Sequence, residues 1–500
     1  MSNVSAAQAE NYYDKDDYYT QDLDTEEETQ RASSQWAGKG AIALGLAGEV
    51  DKSTFKRLLQ GEGPDGQSLH ARKIDLTKHR AGTDYTFSAP KSVSIAGLIQ
   101  QDWRVMAAHD RAVETALTVL EERYAQTRVR TKEGRLRITT GNIVAAVFRH
   151  ETSRAQDPQL HSHCVVINTT QMADGSWRSL SNEEIVANQK LLGEIYQNEL
   201  AYQLRQCGYE IEPRANGQFE LRGYEPKLLE VFSTRRQQIL DLIETWSAER
   251  EAAVKGGDVS AARREAANLR SRRSKRIVPR EVLMEAWQQE IQRQQLALPQ
   301  IPQSAQNKVQ QKPFQTRQAV QGGIDHAAER EAVFRRSKVE RFVLENHLGQ
   351  HSFAALQQAI QESNELILAD PLKDKFTTQT AIQRELETIR LMQDGKGVVV
   401  AIAAPQDIER YLEVSTTLTD GQRQAIEISA MSRDRILAWQ GVAGSGKTYS
   451  LKLFSELAVQ KGYTVRGFAP SAEAAHELAK AAHIPSDTVA SLLVQEASGS

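Results

Sequence analysis

NIVAAVFRHETSRAQDPQLHSHCVVINTT, residues 142–170, holds two apolar, β-forming runs on either side of a polar connector. Residues 142–150 and 161–170 read as strands. His161 and His163 are two apart, so on a strand their side chains share one face, and His150 ends the preceding strand. If the two strands pair as neighbours in a sheet, the three imidazoles converge. Neutral imidazole ligates Zn, Mn, Fe, Ni and Cu, and three facing nitrogens leave positions open for substrate. An HxH pair alone reads as readily as two hydrogen-bonded histidines at a strand end; the third histidine favours a divalent metal site, for Mg, Mn or Zn. Asp157 and Gln159 lie in the connector, and Asp84 begins another expected strand. A carboxylate there orients a ligating imidazole or accepts a nucleophile's proton. The bland reading of Asp84 is a turn or strand-end residue.

Around this pair the chain alternates elements. GLAGEVDKSTFKRLLQG (45–61) reads as a turn into a short amphipathic helix, and DYTFSAPKSVSIAGLI (84–99) as a strand bent at Pro90. Residues 105–126 have helical spacing, with Ala108, Val113, Leu117, Leu120 and Tyr124 near one face. LLGEIYQNELAYQLRQCGYEIE (191–212) is a second long helix ending at Cys207-Gly208. Helices mixed with an antiparallel sheet give an α+β class. Residues 233–292 are helical in composition, and 261–280 carries eight Arg or Lys against one Glu. That stretch, with Arg270, Arg272 and Arg273, reads as a solvated helix or as a track for DNA phosphates. Residues 296–318 are rich in Pro and Gln without periodicity, as a linker would be, and a helical region spans about 321–392.

Composition excludes several classes. The chain has 500 residues, 40% hydrophobic and 25% charged, with a mean hydropathy of −0.52. Its length implies two to four domains at ~100–200 residues each. A formal charge of −3 rules out a wholesale basic coat, so DNA binding would rest on local patches. Two cysteines, Cys164 and Cys207, exclude a disulfide scaffold. The N-terminus lacks a signal-peptide pattern, and no apolar run approaches the ~20 residues of a membrane span. A bacterial cytoplasmic protein without membrane insertion is expected.

Tyr12, Tyr13, Tyr18 and Tyr19 form two pairs in an acidic segment, where residues 14–28 hold eight Asp or Glu and one Lys. Such rings could staple onto a domain. A phenol can also attack a phosphodiester and hold the broken end covalently, and a metal that polarises the phosphoryl oxygen assists that attack. The paired tyrosines, WAGKGAIALGLAGEVD (36–51), DYTFSAPKSVS (84–94), GNIVAAVFRHETSRAQDPQLHSHCVVIN (141–168) and DGSWRSLSNEEI (174–185), in that order, resemble the relaxase domain of MobF-type conjugative relaxase–helicases over about residues 11–290. The resemblance implies an HUH-endonuclease fold, an antiparallel sheet flanked by helices, with the tyrosines ahead of the histidines. It implies Tyr12 as first catalytic tyrosine, Tyr13 as its neighbour, and Tyr18 and Tyr19 as the second pair. It puts His150, His161 and His163 on the metal, Asp84 near the nucleophile, and Arg154 at a phosphate. Only eleven residues precede Tyr12, short for a chain entering through a first strand.

GVAGSGKT, Gly441 to Thr448, matches GxxxxGK[ST] in full. Residues 435–440 read as the strand before it and 449–462 as the helix after it; GVVVAI (397–402) is also strand-like. Backbone N–H groups of Gly441, Gly444 and Gly446 would cradle phosphates, Lys447 would reach the terminal phosphates, and Thr448 would hold Mg²⁺. LTDGQRQAI (418–426) resembles the adenine-sensing segment of superfamily 1 helicases, which implies that Gln422 contacts the base; GFAPSAEAAHEL (467–478) and TVASLL (488–493) resemble later motifs. No Asp-Glu Walker B strand follows, so ATP hydrolysis and unwinding are not expected of this stretch, and it should be the least stable part.

The expected organisation is a relaxase domain over 1–295, a linker over 296–320, a helical helicase segment over 321–411 and a partial RecA-like P-loop domain over 412–500. The expected function is metal-dependent, strand-specific nicking of single-stranded DNA at a transfer origin through a 5′-phosphotyrosyl link. Expected partners are that DNA, accessory relaxosome proteins and a type IV secretion coupling protein. Two other readings are a rolling-circle replication initiator and a non-catalytic DNA-binding module with a structural metal; in such initiators the tyrosine usually follows the histidines.

Overall fold

Period-2 alternation in the histidine strands needs a two-faced sheet, and the computed structural model builds one. It describes residues 2–5, 34–70, 80–132, 134–234, 278–303, 313–414 and 417–498. These fall into two compact units divided between Thr378 and Gln379. The first unit contains β1 (Ser2–Ser5), β2 (Ser34–Ala37), β3 (Arg80–Ser88), the hairpin β4 (Gln126–Thr131) and β5 (Gly134–Thr139), then β6 (Ala145–Thr152) and β7 (Pro158–Ile167). Five of them form one antiparallel sheet in the order β1-β3-β7-β6-β2. The short entry ahead of Tyr12 thus still holds a strand, with Ser2 opposite Asp84.

Side chains of β7 alternate between two apolar clusters. Leu160, Cys164 and Val166 face a large core, while Val165 and Ile167 face a smaller one with Trp36, Phe55 and Phe148. The smaller cluster is closed by α1 (Lys52–Leu59), whose first turn is capped by Asp51 accepting the Thr54 N–H at 2.8 Å. Phe55 packs edge-on against Phe148 at 5.1 Å between ring centres, and burying each ring contributes ~2–3 kcal/mol. On the other face lie α2 (Lys91–Ser94), which runs into a π-helical turn at Ile95–Ile99, α3 (Trp103–Val119) and α4 (Gln189–Gln206). Gly208, at φ 93°, follows α4, which stops at Cys207-Gly208 as expected, and Ile211–Pro213 beyond it pairs with Phe219–Leu221.

Three expectations are corrected. The strand drawn over 84–99 ends at Ser88, because Pro90 starts α2 with a φ of −53° and its carbonyl accepts the Ser94 N–H at 3.0 Å. The linker drawn over 296–320 is docked in part: Pro299 and Pro302 carbonyls accept from Gln100 and Arg104, at 2.7 and 2.8 Å. Within the same span begins α6 (Pro313–Ala328), after α5 (Arg280–Arg293); α6, α7 (Arg336–Asn346) and α8 (Phe353–Gln361) send Val320, Val339 and Leu356 into the large core. The boundary between units therefore falls at 378, not near 296–320.

The second unit runs α9 (Gln379–Asp394), α10 (Pro405–Glu413), α11 (Asp420–Met431), α12 (Lys447–Gln460), β8 (Gly467–Ala469), α13 (Ala472–Ala482), β9 (Ser486–Thr488) and α14 (Val489–Ser498). β8 and β9 pair in parallel, as an α/β P-loop unit requires. Ile408, Leu412, Ile426, Leu453 and Leu457 form its core. The strands expected at 397–402 and 435–440 are not in any ladder among the described residues. A strand exists only through its neighbours' backbone groups, and Ile436 and Leu437 stay half-exposed instead.

Candidate metal centre and phosphate loop

His150 and His161 face each other directly across the β6–β7 ladder, and His163 pairs with Thr86 on β3. The antiparallel register therefore brings all three expected ligands to one face, in line with Val165 and Phe148 and just past the smaller apolar cluster. Their ring centres are 5.1–5.3 Å apart, their ligand nitrogens lie within 4.8 Å of one another, and all three are buried. Ligand distances of ~2.1 Å put tetrahedral donors ~3.4 Å apart, so small ring rotations close the cage on one ion.

The outer nitrogens are spoken for. His161 Nδ1 donates to the Gln159 carbonyl at 2.9 Å, and His163 Nδ1 donates to Asp84 Oδ2 at 2.8 Å. Both bonds fix the tautomer in which Nε2 carries the lone pair that a metal ion would take. Asp84 is buried, and Thr86 stands 3.3 Å from His163 Nδ1 and 3.5 Å from Asp84 Oδ1. The carboxylate of Asp84 thus holds the His163 ring through Nδ1. Thr86 was not singled out in the sequence, although a position two beyond Asp84 on one strand was the available signal.

Behind the centre, Ser162 points to the helical face. His109 of α3 bridges it to α4: Nε2 to Ser162 Oγ and Nδ1 to Tyr196 Oη are both 2.8 Å. Complete burial, then the charges of Arg149 and His161, push the His109 pKa down to about 3. Burial likewise raises the Tyr196 phenol well above its usual value. This network was also missed by sequence reading.

Arg154 sits in the loop joining β6 and β7, where Ser153 N–H donates to the Asp157 carbonyl at 2.9 Å and Trp287 Nε1 donates to the Gln156 carbonyl at 2.9 Å. Tyr12, Tyr13, Tyr18, Tyr19, Arg270, Arg272 and Arg273 lie outside the described residues.

In the second unit, Gly444 and Gly446 take φ of 79° and 78°, and Gly446 caps α12. A left-handed turn followed by a helix N-terminus presents N–H groups to an anion. Lys447 Nζ donates to the carbonyls of Gly441 and Val442 at 2.7 and 2.9 Å, and Gln422 Nε2 to the Ser445 carbonyl at 2.9 Å. Gln422, Trp439, Gly441, Ser445 and Lys447 line a cavity of about 460 Å³. Thr448, the expected Mg²⁺ ligand, is the second residue of α12.

A family model for the TrwC relaxase matches residues 6–294. The chain belongs to the TrwC relaxase family. A model for an AAA domain matches residues 417–499. The multifunctional conjugation protein TraI of Escherichia coli is 35% identical over 467 residues, and that of strain K12 33%. In both, the match covers 88% of this chain, and the chain spans a quarter of the length of these curated relatives. A metal-bound structure of the conjugative relaxase TrwC in complex with oriT DNA is 37% identical, with a TM-score of 0.52, covering 59% of this chain and 98% of that one. A copper-bound TrwC–oriT structure is 40% identical, with a TM-score of 0.50, covering 58% and 96%. The TrwC relaxase fold, antiparallel sheet with helices, is thus that of this chain's first unit, and its three histidines are arranged so that they could hold a metal ion. No helix among the described residues is long and apolar enough to cross a membrane.

Proposed function

We propose that this chain is a conjugative DNA relaxase, nicking one strand at a transfer origin, joined to a helicase-type nucleotide-binding unit. The observation that carries the reading is the caged triad of His150, His161 and His163 with Asp84 behind it. An all-nitrogen donor set suits Zn or Mn better than Mg, which prefers oxygen. An ion held by His150, His161 and His163 would supply polarisation of a phosphoryl oxygen of the scissile group. The chain's own residues do the rest. Asp84 and the Gln159 carbonyl hold the ligating rings in register. The Tyr12 phenol gives up its proton as its oxygen forms a bond to phosphorus; the bond to the 3′ oxygen breaks, and that oxygen takes up a proton. The product is a 5′-phosphotyrosyl link that preserves one phosphodiester's energy for resealing. Arg154, in the loop between β6 and β7, is the residue we assign to a phosphate contact.

At the second unit we propose Mg-ATP as ligand, with Gln422 at the base, the backbone of Gly441, Gly444 and Gly446 around the phosphates, Lys447 at the terminal phosphates and Thr448 at the metal. The proposed partners are single-stranded origin DNA, relaxosome accessory proteins and a type IV secretion coupling protein, all in a bacterial cytoplasm.

The test is incubation with a labelled single strand carrying the origin of its own element, with Mn²⁺ or Mg²⁺, followed by a denaturing gel. A covalent protein–DNA adduct is expected. Retained binding without any adduct would assign the chain to non-catalytic DNA binding.

A further inference from the structure

The ladder between the two histidine strands is interrupted beside the triad. His150 pairs with His161, but the next pair towards the turn is Thr152 with Pro158. Gln159 and Leu160 on β7 therefore stand opposite Glu151 alone, which makes a β-bulge. A bulge leaves ladder groups to be satisfied elsewhere, and here α2 and the residue pair ahead of it satisfy them. Ser94 Oγ accepts the Leu160 N–H at 3.0 Å, and the Ala89 N–H donates to the Leu160 carbonyl at 3.0 Å. Gln159 Nε2 donates to the Ala89 carbonyl at 3.0 Å, and Lys91 Nζ donates to that of Pro158 at 2.8 Å. The Ser94 hydroxyl proton is itself committed to the Pro90 carbonyl at 3.1 Å, so a lone pair faces Leu160. Ser94 and Leu160 are both fully buried, where losing the acceptor would strand the N–H. On the other side of the bulge, the Gln159 carbonyl turns onto His161 Nδ1 at 2.9 Å.

We propose that Ser94 is a positioning residue for His161: by holding the Leu160 N–H it fixes the β7 bulge, and the bulge aims the Gln159 carbonyl at the imidazole. The proposal deepens the metal-centre reading of the triad, on which its purpose rests. It also gives DYTFSAPKSVS (84–94) a single task. Asp84, at one end of the segment, holds the His163 ring directly, and Ser94, at the other end, holds the His161 ring through the backbone of β7. The bulge has to stay where it is for a further reason. A ladder that shed it by slipping one residue would carry His161 and His163 to the opposite face of the sheet. Ser94 lies within the buried turn that anchors the bulged residue, so it acts on the register as well as on the ring.

The experiment is NMR of the imidazole nitrogens in the whole chain, stripped of metal and held at about pH 8, where an unperturbed imidazole is neutral. It reads which ring nitrogen of each histidine carries the proton. In the wild type, His161 and His163 should both carry it on Nδ1. Ser94→Ala removes the acceptor and little volume; His161 should pass to a mixture of tautomers, while His163, held by Asp84, keeps its proton on Nδ1. Val93→Ala is the control. Val93 is fully buried in the same turn, so this variant lowers the melting temperature through a cavity and should leave both rings as they were. Zn²⁺ affinity should fall about tenfold in Ser94→Ala, the low end of the loss seen when the support of a histidine ligand is cut. If Ser94→Ala does not fold, Gln159→Ala, which cuts the tie to Ala89, carries the same expectation. An unchanged His161 ring, an equal change in His163, or the same change in Val93→Ala overturns the proposal. The tautomers are read without metal or DNA, so a wild type that shows them but binds no Zn²⁺ would sink the metal reading alone.

Discussion

Asp84 and His163, 79 residues apart in sequence, are joined by a 2.8 Å hydrogen bond that runs across the β3–β7 ladder. The carboxylate is buried and accepts from Nδ1, so it fixes the tautomer in which the opposite ring nitrogen, Nε2, carries the lone pair.

Asp84→Asn keeps the shape of this contact and removes its charge. Metal affinity should fall ~10–100-fold, the usual loss for a carboxylate behind a histidine ligand. Titration of the apo protein with Mn²⁺ or Zn²⁺ reads this directly. Unchanged affinity would leave Asp84 with a role in proton transfer alone.

His161→Ala and His163→Ala each remove one of three ligands and should abolish adduct formation. Their melting temperatures in the metal-free state should stay within ~2–4 °C of the wild type, about one kcal/mol for a domain of this size. EDTA treatment should reproduce the loss in the wild type, and added metal should restore activity there but not in the variants. Full activity in chelator would end the metal mechanism.

Tyr12→Phe retains the ring and deletes the attacking oxygen. DNA affinity should persist while the covalent adduct disappears. An adduct formed at normal yield would move the nucleophile to Tyr13, Tyr18 or Tyr19, and peptide mapping of the labelled fragment would say which.

The histidine triad was legible because strand alternation is a local rule: HxH fixes two imidazoles on one face, and a histidine ending the neighbouring strand supplies the third. Asp84 was only half legible. Its choice between orienting a ligand and taking a proton depends on a register between β3 and β7 that no local pattern encodes. Pro90 misled in the opposite sense. β-Forming residues follow it, but its fixed φ starts a helix, and Ile95–Ile99 is buried as helical core. The Pro/Gln-rich stretch after residue 296 likewise lacks periodicity because its backbone carbonyls, rather than its side chains, make the contacts to Gln100 and Arg104. The His109–Ser162–Tyr196 network was invisible for a related reason: three unremarkable polar residues become a unit only when two helices and a strand meet.

That network makes stability depend on pH with a defined sign. His109 titrates near ~6.5 when unfolded, but in the fold its pKa is pushed down to about 3, by burial first and then by Arg149 and His161. Between those values the unfolded chain binds the extra proton and the native one does not. Stability is therefore lost as pH falls from 6.5 towards 3, and this residue contributes no pH dependence above that window. From pH 7.5 to pH 5 the loss from His109 should be ~2 kcal/mol. His109→Gln can still bond to Ser162 or Tyr196 but cannot titrate, so its urea midpoint should vary less over the same range. Both proteins are compared stripped of metal, which makes the contribution of His150, His161 and His163 common to the two. If the variant loses as much stability as the wild type between pH 7.5 and 5, the acid sensitivity belongs to other groups, and His109 is not held neutral by its burial.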